Sequence, residues 1–315
     1  MNDDGVQLRA QRARPPRLRA DTFRKYQELL RDRVGIFLSA SKAQLLISRL
    51  DRRLRERSCP DLEQYYELVT SAPGHREEFQ AMVNRITTNK TDFFREAHHF
   101  DALAAFVQDH VQTRPKDPVK IWSAGCSTGE EPYSIALVLQ EALPPSEFAR
   151  ARILATDIDT NVLTIASRGV YADSRLAPSP KYRWRGSFLR GTGRWSGTVK
   201  VCKALRDRLQ FETRNLVDPG WDDDRKFDVV FCRNTLIYFD RPTQREIVQR
   251  LAASLRIGGL LILGHSENLL GDEPGLEAAG ATIFRRVASG DGPGESFAPP
   301  ERPLQARVTS GGMFC

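Results

Sequence analysis

The chain is poor in metal-ligand side chains. It has five cysteines and five histidines in 315 residues, with no CxxC pair and no Cys/His spacing of a zinc site. An odd number of scattered thiols argues against a disulfide framework and for free cysteines in a reducing, cytoplasmic setting, with no metal. No apolar run approaches the roughly 18 residues that a membrane span needs, and none resembles the apolar stretch of a secretory leader. GxGxxG is missing too, which counts against a dinucleotide pyrophosphate site. What is present is ordinary: 40% hydrophobic and 28% charged residues, enough for one large or two ordinary cores. A net charge of +7 points to an acidic partner, whether nucleic acid, anionic membrane or acidic protein surface.

Residues 1–20 carry Arg9, Arg12, Arg14, Arg17 and Arg19 with little apolar content, the composition of a disordered basic arm. From Asp21 the pattern is helical. Leu46, Leu50 and Leu54 recur at i, i+4 and i+8 behind a candidate cap at Ser39 or Ser41. A further helix runs from its cap Asp61 through Tyr65, Tyr66 and Val69, and another carries Phe79, Met82, Val83 and Ile86. This predicts a helical domain over 21–88. From Val119 short apolar strands alternate with helices: Val119–Ala124, Ile153–Thr156, Leu209–Glu212, Phe227–Phe231 and Leu260–Gly264, with helices over Glu130–Leu143, Asp159–Arg168 and Pro242–Leu255. The pattern predicts an α/β domain over 89–288 with a mostly parallel sheet and a last antiparallel edge strand at Ala281–Val287. Within it, FLRGTGRWSGTVKV reads as a small β-hairpin in an insertion at about 172–207, whose edge could accept a peptide strand. The segment 289–315 has the Gly and Pro content of a flexible tail.

Three stretches carry chemistry. In NRITTNKTDFFREAHHF, the polar Asn84, Thr87, Thr88, Asn89, Thr91, Asp92 and Arg95 crowd beside Phe93 and Phe94, as in a wall of a polar ligand site. In IWSAGCSTGEEPYSIAL, Gly125 and Gly129 allow a tight turn after the first strand. Glu130 and Glu131 at the following helix start would repel a pyrophosphate but suit a cationic ligand, and S-adenosylmethionine carries both an ammonium and a sulfonium. Complementing the helix dipole is the plainer role for the same pair. Asp157, ending the second strand, can accept both hydroxyls of a ribose, and Asp159 is placed to cap the next helix. Asn215 and Leu216 follow the third strand, where they could read and sandwich adenine; Arg233 and Asn234 follow the fourth. All lie at the carboxyl ends of strands, where open α/β sheets bind ligands.

With TTNKTDFFREAHHF, IWSAGCSTGEEPYSIAL, ATDIDTNVL, FDVVFCRNTLIYF and GGLLILGHSEN in place, the chain resembles the CheR family, the glutamate O-methyltransferases of bacterial chemoreceptors. The resemblance covers roughly Thr87 to Asn268. It implies a class I S-adenosylmethionine-dependent (Rossmann-like) domain, a helical N-terminal domain and an inserted antiparallel β-subdomain. By motif it implies cofactor contacts from Asn89, Thr91, Arg95, Glu131, Asp157, Asn215, Leu216, Arg233 and Asn234. Arg95 and Tyr238 would position the reacting groups, and S-adenosylhomocysteine would be the second product. A glutamate carboxylate, with a reference pKa of about 4.3, is already ionised at neutral pH and needs no general base. Asp92 departs from the small or neutral residue of the family pattern. Phe93 and Phe94 read as core, His98 and His99 as surface or packing residues, and His265 and Glu267 as structural polar groups.

The segment Lys42–Arg57 holds six cationic residues against Asp51 and Glu56. With its leucines inward, Arg49, Arg52 and Arg53 form a basic face: a solvated surface, or a dock for the acidic helical bundle of a chemoreceptor. A receptor C-terminal peptide at the β-subdomain is the second partner that the resemblance implies. A nucleic-acid methyltransferase would also explain the charge, but CRNTLIYF lacks the acidic or amide residue, paired prolines and aromatic of base-amino enzymes. A binding module with a degenerate cofactor site and a nicotinamide oxidoreductase are further alternatives; the intact Asn89, Arg95, Glu131 and Asp157 set opposes the first, and the missing GxGxxG the second.

Overall fold

Leucines four residues apart build the first unit. The computed structural model describes residues 18–115, 117–176, 186–219, 225–267 and 273–288, so the basic arm up to residue 17, the middle of the insertion, Asn268 and the tail from 289 lie outside the described residues. Helices α1 (Ala20–Val34), α2 (Ala43–Glu56), α3 (Leu62–Thr70) and α4 (His75–Ile86) belong to a unit of residues 1–88 that also takes in Tyr238–Asp240. Leu46, Leu50 and Leu54 of α2 are fully buried, as are Tyr26, Leu30, Tyr65 and Met82 of the other helices. Each such side chain contributes about 1.5–3 kcal/mol by burial. Asp61 caps α3 as expected, accepting the Gln64 amide at 2.9 Å. Neither serine caps α2: Ser39 and Ser41 bond each other at 2.8 Å, and a 3-10 turn at Ala40–Lys42 leads in.

One buried carboxylate ties three helices of this unit together. Glu78 accepts two bonds from Arg53 at 2.7 Å each and one from the Tyr65 hydroxyl at 2.7 Å, with Arg57 at 3.1 Å. Burial raises its pKa, and the arginines and tyrosine more than reverse that, leaving it below the usual range.

The second unit comprises residues 89–237 and 241–315. Its elements are α5 (His98–Thr113), β1 (Lys120–Ala124), α6 (Glu130–Ala142), α7 (Pro145–Arg150), β2 (Arg152–Asp157), α8 (Thr160–Arg168), β3 (Val170–Ala172), β4 (Phe188–Arg190), β5 (Thr198–Val201), α9 (Lys203–Arg206), β6 (Leu209–Thr213), β7 (Phe227–Cys232), α10 (Arg241–Ser254), β8 (Leu255–Leu263), β9 (Leu276–Gly280) and β10 (Ile283–Arg286). The main sheet runs β6-β2-β1-β7-β8-β10-β9, its first five strands parallel. Parallel strands bury both faces, and every residue of β7 is buried. From β1 the chain winds outward through β2 to β6, then returns to the other side of β1 with β7. The loops therefore diverge above β1 and β7, the switch point where such sheets hold ligands.

Two strand expectations change. β8 starts at Leu255, five residues earlier than the apolar run Leu260–Leu263, because Leu255 already pairs with Phe227 before an irregularity in register. β10 is antiparallel as expected but interior; the edge is β9, a half-buried stretch without strict alternation. The small sheet has order β3-β5-β4, so the hairpin of the sequence gains a third strand from Val170–Ala172.

Candidate active site

Gly125 ends β1 with φ +83°, and a Cβ there would collide with Thr235, so the turns after β1 and β7 are in contact only because this residue is glycine. The turn leads through Ser127 and Gly129 into α6. Beside it, Asp157 at the end of β2 accepts the Ser127 amide at 2.8 Å and the Asp159 amide at 2.9 Å, one on each oxygen. Asp159 caps α8, accepting the Asn161 and Val162 amides, and takes the Asn89 side-chain amide at 2.8 Å. The Ser127 hydroxyl donates to the Asn89 carbonyl at 3.0 Å. Asn89, the glycine turn and the end of β2 are thus one hydrogen-bonded cluster.

Glu131 and Arg233 are both buried and pair with each other at 3.1 Å; Glu131 also accepts the Ser123 hydroxyl at 2.7 Å. Arg233 bonds the Arg95 carbonyl and lies 3.1 Å from Glu96. Burial pushes the carboxyls of Glu131, Asp157 and Glu267 upward against the pull of Arg233 on the first and of backbone amides on the others. Glu267, from GHSEN, accepts the amides of Asn234 (2.7 Å), Leu236 (2.7 Å), Ile237 (3.4 Å) and Gly264 (2.8 Å), fixing the turn after β7. Next to Arg233 three histidines gather: His98 stacks on His265 with centroids 4.9 Å apart and lies 4.0 Å from His99. His99 is fully buried and its pKa falls to about 3, by burial and then by Arg233; that of His98 is lowered by burial and His265.

Backbone strain concentrates around this cluster. Phe94, Glu96, Ser127 and Asn234 have φ of +53°, +57°, +50° and +56° without being glycine. Such conformations cost on the order of 1–3 kcal/mol each and gather where surroundings over-determine the chain. Arg95 sits between two of them. Its guanidinium folds back onto the Lys90 carbonyl at 3.2 Å. Thr91 offers its carbonyl to Arg175 at 2.6 Å. Asn215 bonds Asp218 at 2.9 Å, with Leu216 buried beside it. Phe93 is core, and Phe94 packs against it. Tyr238 clusters with the helical unit instead: its carbonyl takes the Phe37 amide at 2.8 Å and its hydroxyl donates to the Thr88 carbonyl at 3.3 Å. Sequence reading passed over Glu96 and Arg175 and left Glu267 as a structural group. A lone carboxylate three residues beyond the glycine that follows β8 was the one available signal.

The basic face of α2 is less uniform than its composition. Arg52 is 68% exposed, pairing with Glu56 at 2.7 Å, whereas Arg53 is 22% exposed and committed to Glu78. Arg49 holds the Thr87 carbonyl at 3.1 Å and the Thr88 hydroxyl at 3.2 Å. Among the described residues no group of three His, Cys, Asp or Glu side chains could hold a metal, and no helix is long and apolar enough to cross a membrane.

Comparison with known proteins agrees with this geometry. Residues 21–87 match the profile described as "CheR methyltransferase, all-alpha domain", and residues 89–284 that described as "CheR methyltransferase, SAM binding domain". Chemotaxis protein methyltransferase 2 of Pseudomonas aeruginosa is 42% identical over 268 residues, covering 84% of this chain and 92% of its own. The chemotaxis protein methyltransferase of Escherichia coli is 40% identical over 262 residues, covering 83% and 89%. A helical domain, a switch-point sheet with a carboxylate-rich glycine turn, and chain-long similarity converge: the protein belongs to the CheR family and is an S-adenosylmethionine-dependent methyltransferase.

Proposed function

We propose that the protein transfers a methyl group from S-adenosylmethionine to glutamate side-chain carboxylates of chemoreceptors, in the cytoplasm, forming methyl esters and S-adenosylhomocysteine. The observation that carries this reading is the surplus of buried negative charge at the switch point. The buried Glu131, Asp157 and Glu267, with the half-buried Glu96, stand against one buried guanidinium, Arg233, and the three buried carboxyls are pushed up. A cationic ligand relieves that crowding, where a pyrophosphate would aggravate it. Asp157 fits the ribose role: it ends β2 beside the glycine turn, and the Ser127 and Asp159 amides fix its carboxylate there.

The bound cofactor supplies an electrophilic methyl on a sulfonium. Asn89, Thr91, Arg95, Glu131, Asp157, Asn215, Leu216, Arg233 and Asn234 would hold it, Arg233 by fixing Glu131 and Asn234 through a turn that Glu267 ties down. Arg95 and Tyr238 would align the acceptor carboxylate, which reacts as the anion and requires no base from the protein. The similarity to chemotaxis methyltransferases supports a receptor as the partner, and charge complementarity favours an acidic helical bundle against the basic face of α2. Within Arg49, Arg52 and Arg53, the exposed Arg52 has the reach, while the other two add charge from fixed positions. Trp195, 55% exposed at the tip of the small sheet, and the exposed Leu189 on its edge strand β4 offer a place for a receptor C-terminal peptide.

The test is incubation of the full chain with methyl-labelled S-adenosylmethionine and a receptor cytoplasmic fragment, followed by base treatment. Label released as methanol, mapped to glutamates, is the expected result. Base-stable label, or label in added nucleic acid alone, would reject the substrate class. Calorimetric titration with S-adenosylmethionine, S-adenosylhomocysteine and NAD tests the cofactor separately.

A further inference from the structure

One arginine outside the cofactor set ties Thr91, a member of it, to the first turn of α6. Arg175 stands in the 3-10 turn Asp173–Leu176 that leaves strand β3 of the small sheet. Its Nη2 donates to the Thr91 carbonyl at 2.6 Å and to Glu130 Oε1 at 2.5 Å, and Nη1 lies 3.4 Å from Asp92. Glu130 is buried, and its other oxygen accepts the Thr128 hydroxyl at 2.6 Å.

The same corner of the small sheet reaches the site twice more. The Phe93 ring meets Tyr171 and Phe188 edge-on, with centroids 5.1 Å and 5.9 Å apart. The Tyr171 hydroxyl donates to the Thr128 carbonyl at 2.8 Å, inside the glycine turn. A Cβ on Gly129 would sit 2.8 Å from that hydroxyl. From the opposite side the Phe94 amide donates to the Ser134 hydroxyl at 3.0 Å. The segment from Asn89 to Arg95, two of whose neighbouring φ angles are left-handed, is therefore gripped between α6 and the inserted sheet.

We propose that Arg175 is a positioning residue of the cofactor site, clasping the Thr91–Arg95 loop to the first turn of α6 so that the inserted sheet sets how tightly the adenosyl cofactor is held. The consequence for affinity rests on the function proposed above; the clasp itself does not. Asp92 gains a role as the outer arm of the clasp. Among the described residues Arg175 is the one ion-pair partner of Glu130, so its loss leaves that buried carboxylate without a described cation and the strained loop without its polar tie to the sheet.

Hydrogen exchange on the cofactor-free full chain tests the clasp, and titration with S-adenosylhomocysteine tests its consequence. Arg175→Ala is expected to speed exchange at the Phe94 and Arg95 amides by about tenfold, and to weaken S-adenosylhomocysteine by about tenfold, the size of one partly exposed charged hydrogen bond. The KM for S-adenosylmethionine should rise by a similar factor, with a smaller fall in kcat. Arg175→Lys should recover part of the affinity, since a single ammonium can reach Glu130 or the Thr91 carbonyl but lacks the fork. Asp92→Asn should act in the same direction, more weakly. Unchanged exchange in a folded Arg175→Ala protein overturns the clasp. Faster exchange with unchanged affinity overturns the positioning role. If the parent chain itself binds neither cofactor form, the methyltransferase reading fails, and the exchange result still decides the clasp.

Discussion

Both units bury charge, and they do so to opposite ends. In the helical unit, Glu78 is saturated: two bonds from Arg53, one from Tyr65 and a second arginine nearby. Nothing is left over, and the network serves only to lock α2, α3 and α4 in register. In the catalytic unit, Glu131, Arg233 and Glu96 form a chain of charges with loose ends. Among the described residues the Arg233 Nε and His99 Nδ1 atoms have no hydrogen-bond partner. Asp157 and Glu267 crowd round the neighbouring turns. A saturated buried ion pair reports fold; an unbalanced one, amid strained backbone, reports a site.

The contrast can be broken from the helical side first. Glu78→Ala should destabilise that unit by about 3 kcal/mol, because the buried Tyr65 hydroxyl loses its acceptor and the half-buried Arg53 keeps only Glu56 at 2.9 Å. Joint replacement, Arg53→Met with Glu78→Leu, should recover most of the loss, with thermal unfolding followed by circular dichroism deciding. If the single variant melts like the parent, the network is ornamental.

On the catalytic side, Glu267→Gln exchanges an acceptor of four amides for a group that must also donate. We expect about 2 kcal/mol of lost S-adenosylhomocysteine affinity, with a smaller change in melting temperature. A larger effect on melting than on affinity would place Glu267 with Glu78, as a fold residue.

The histidine cluster sharpens the comparison through pH. Unfolded histidine protonates near 6.5, whereas folded His99 resists until about 3 and folded His98 is also lowered. Below about pH 6.5 the unfolded chain therefore binds more protons, and stability falls as pH falls, by up to about 1.4 kcal/mol per pH unit per histidine. Melting curves between pH 7.5 and 5 check this; His99→Phe should flatten the dependence.

The smallest effect on stability should come from Arg52→Glu with Arg55→Glu, both exposed: within about 0.5 kcal/mol, while receptor methylation drops and cofactor affinity holds. Equal loss of methylation and affinity would show that the charge reversal disturbs more than docking.

These residues also show what could be read in advance. The strands after which ligands bind were legible because parallel, doubly buried strands are unbroken apolar runs ending at Gly125, Asp157 or Arg233. The direction of the α2 arginines was legible in principle. Arg49 and Arg53 each follow a buried leucine by three residues and so share its side of the helix, whereas Arg52 follows Leu50 by two and points away. Composition alone hid that difference. Arg175 lies 84 residues from Thr91, and no local pattern announces a contact of that range. The edge strand β9 escaped for a different reason: Leu276–Gly280 has no buried residue, and its sequence carries no apolar–polar alternation to detect.

The division of the chain has a further corollary. Tyr238–Asp240 are the only described residues after Thr88 that cluster with the helices, and the chain enters that unit and leaves it again within three residues. The helical part is therefore not a detachable cassette. A truncation after Thr88 would strip the Phe37 amide of the Tyr238 carbonyl and the Thr88 carbonyl of the Tyr238 hydroxyl. Because the Phe37 amide and the Tyr238 carbonyl are main-chain groups, that contact tolerates other side chains at both positions but not loss of the Tyr238–Asp240 excursion.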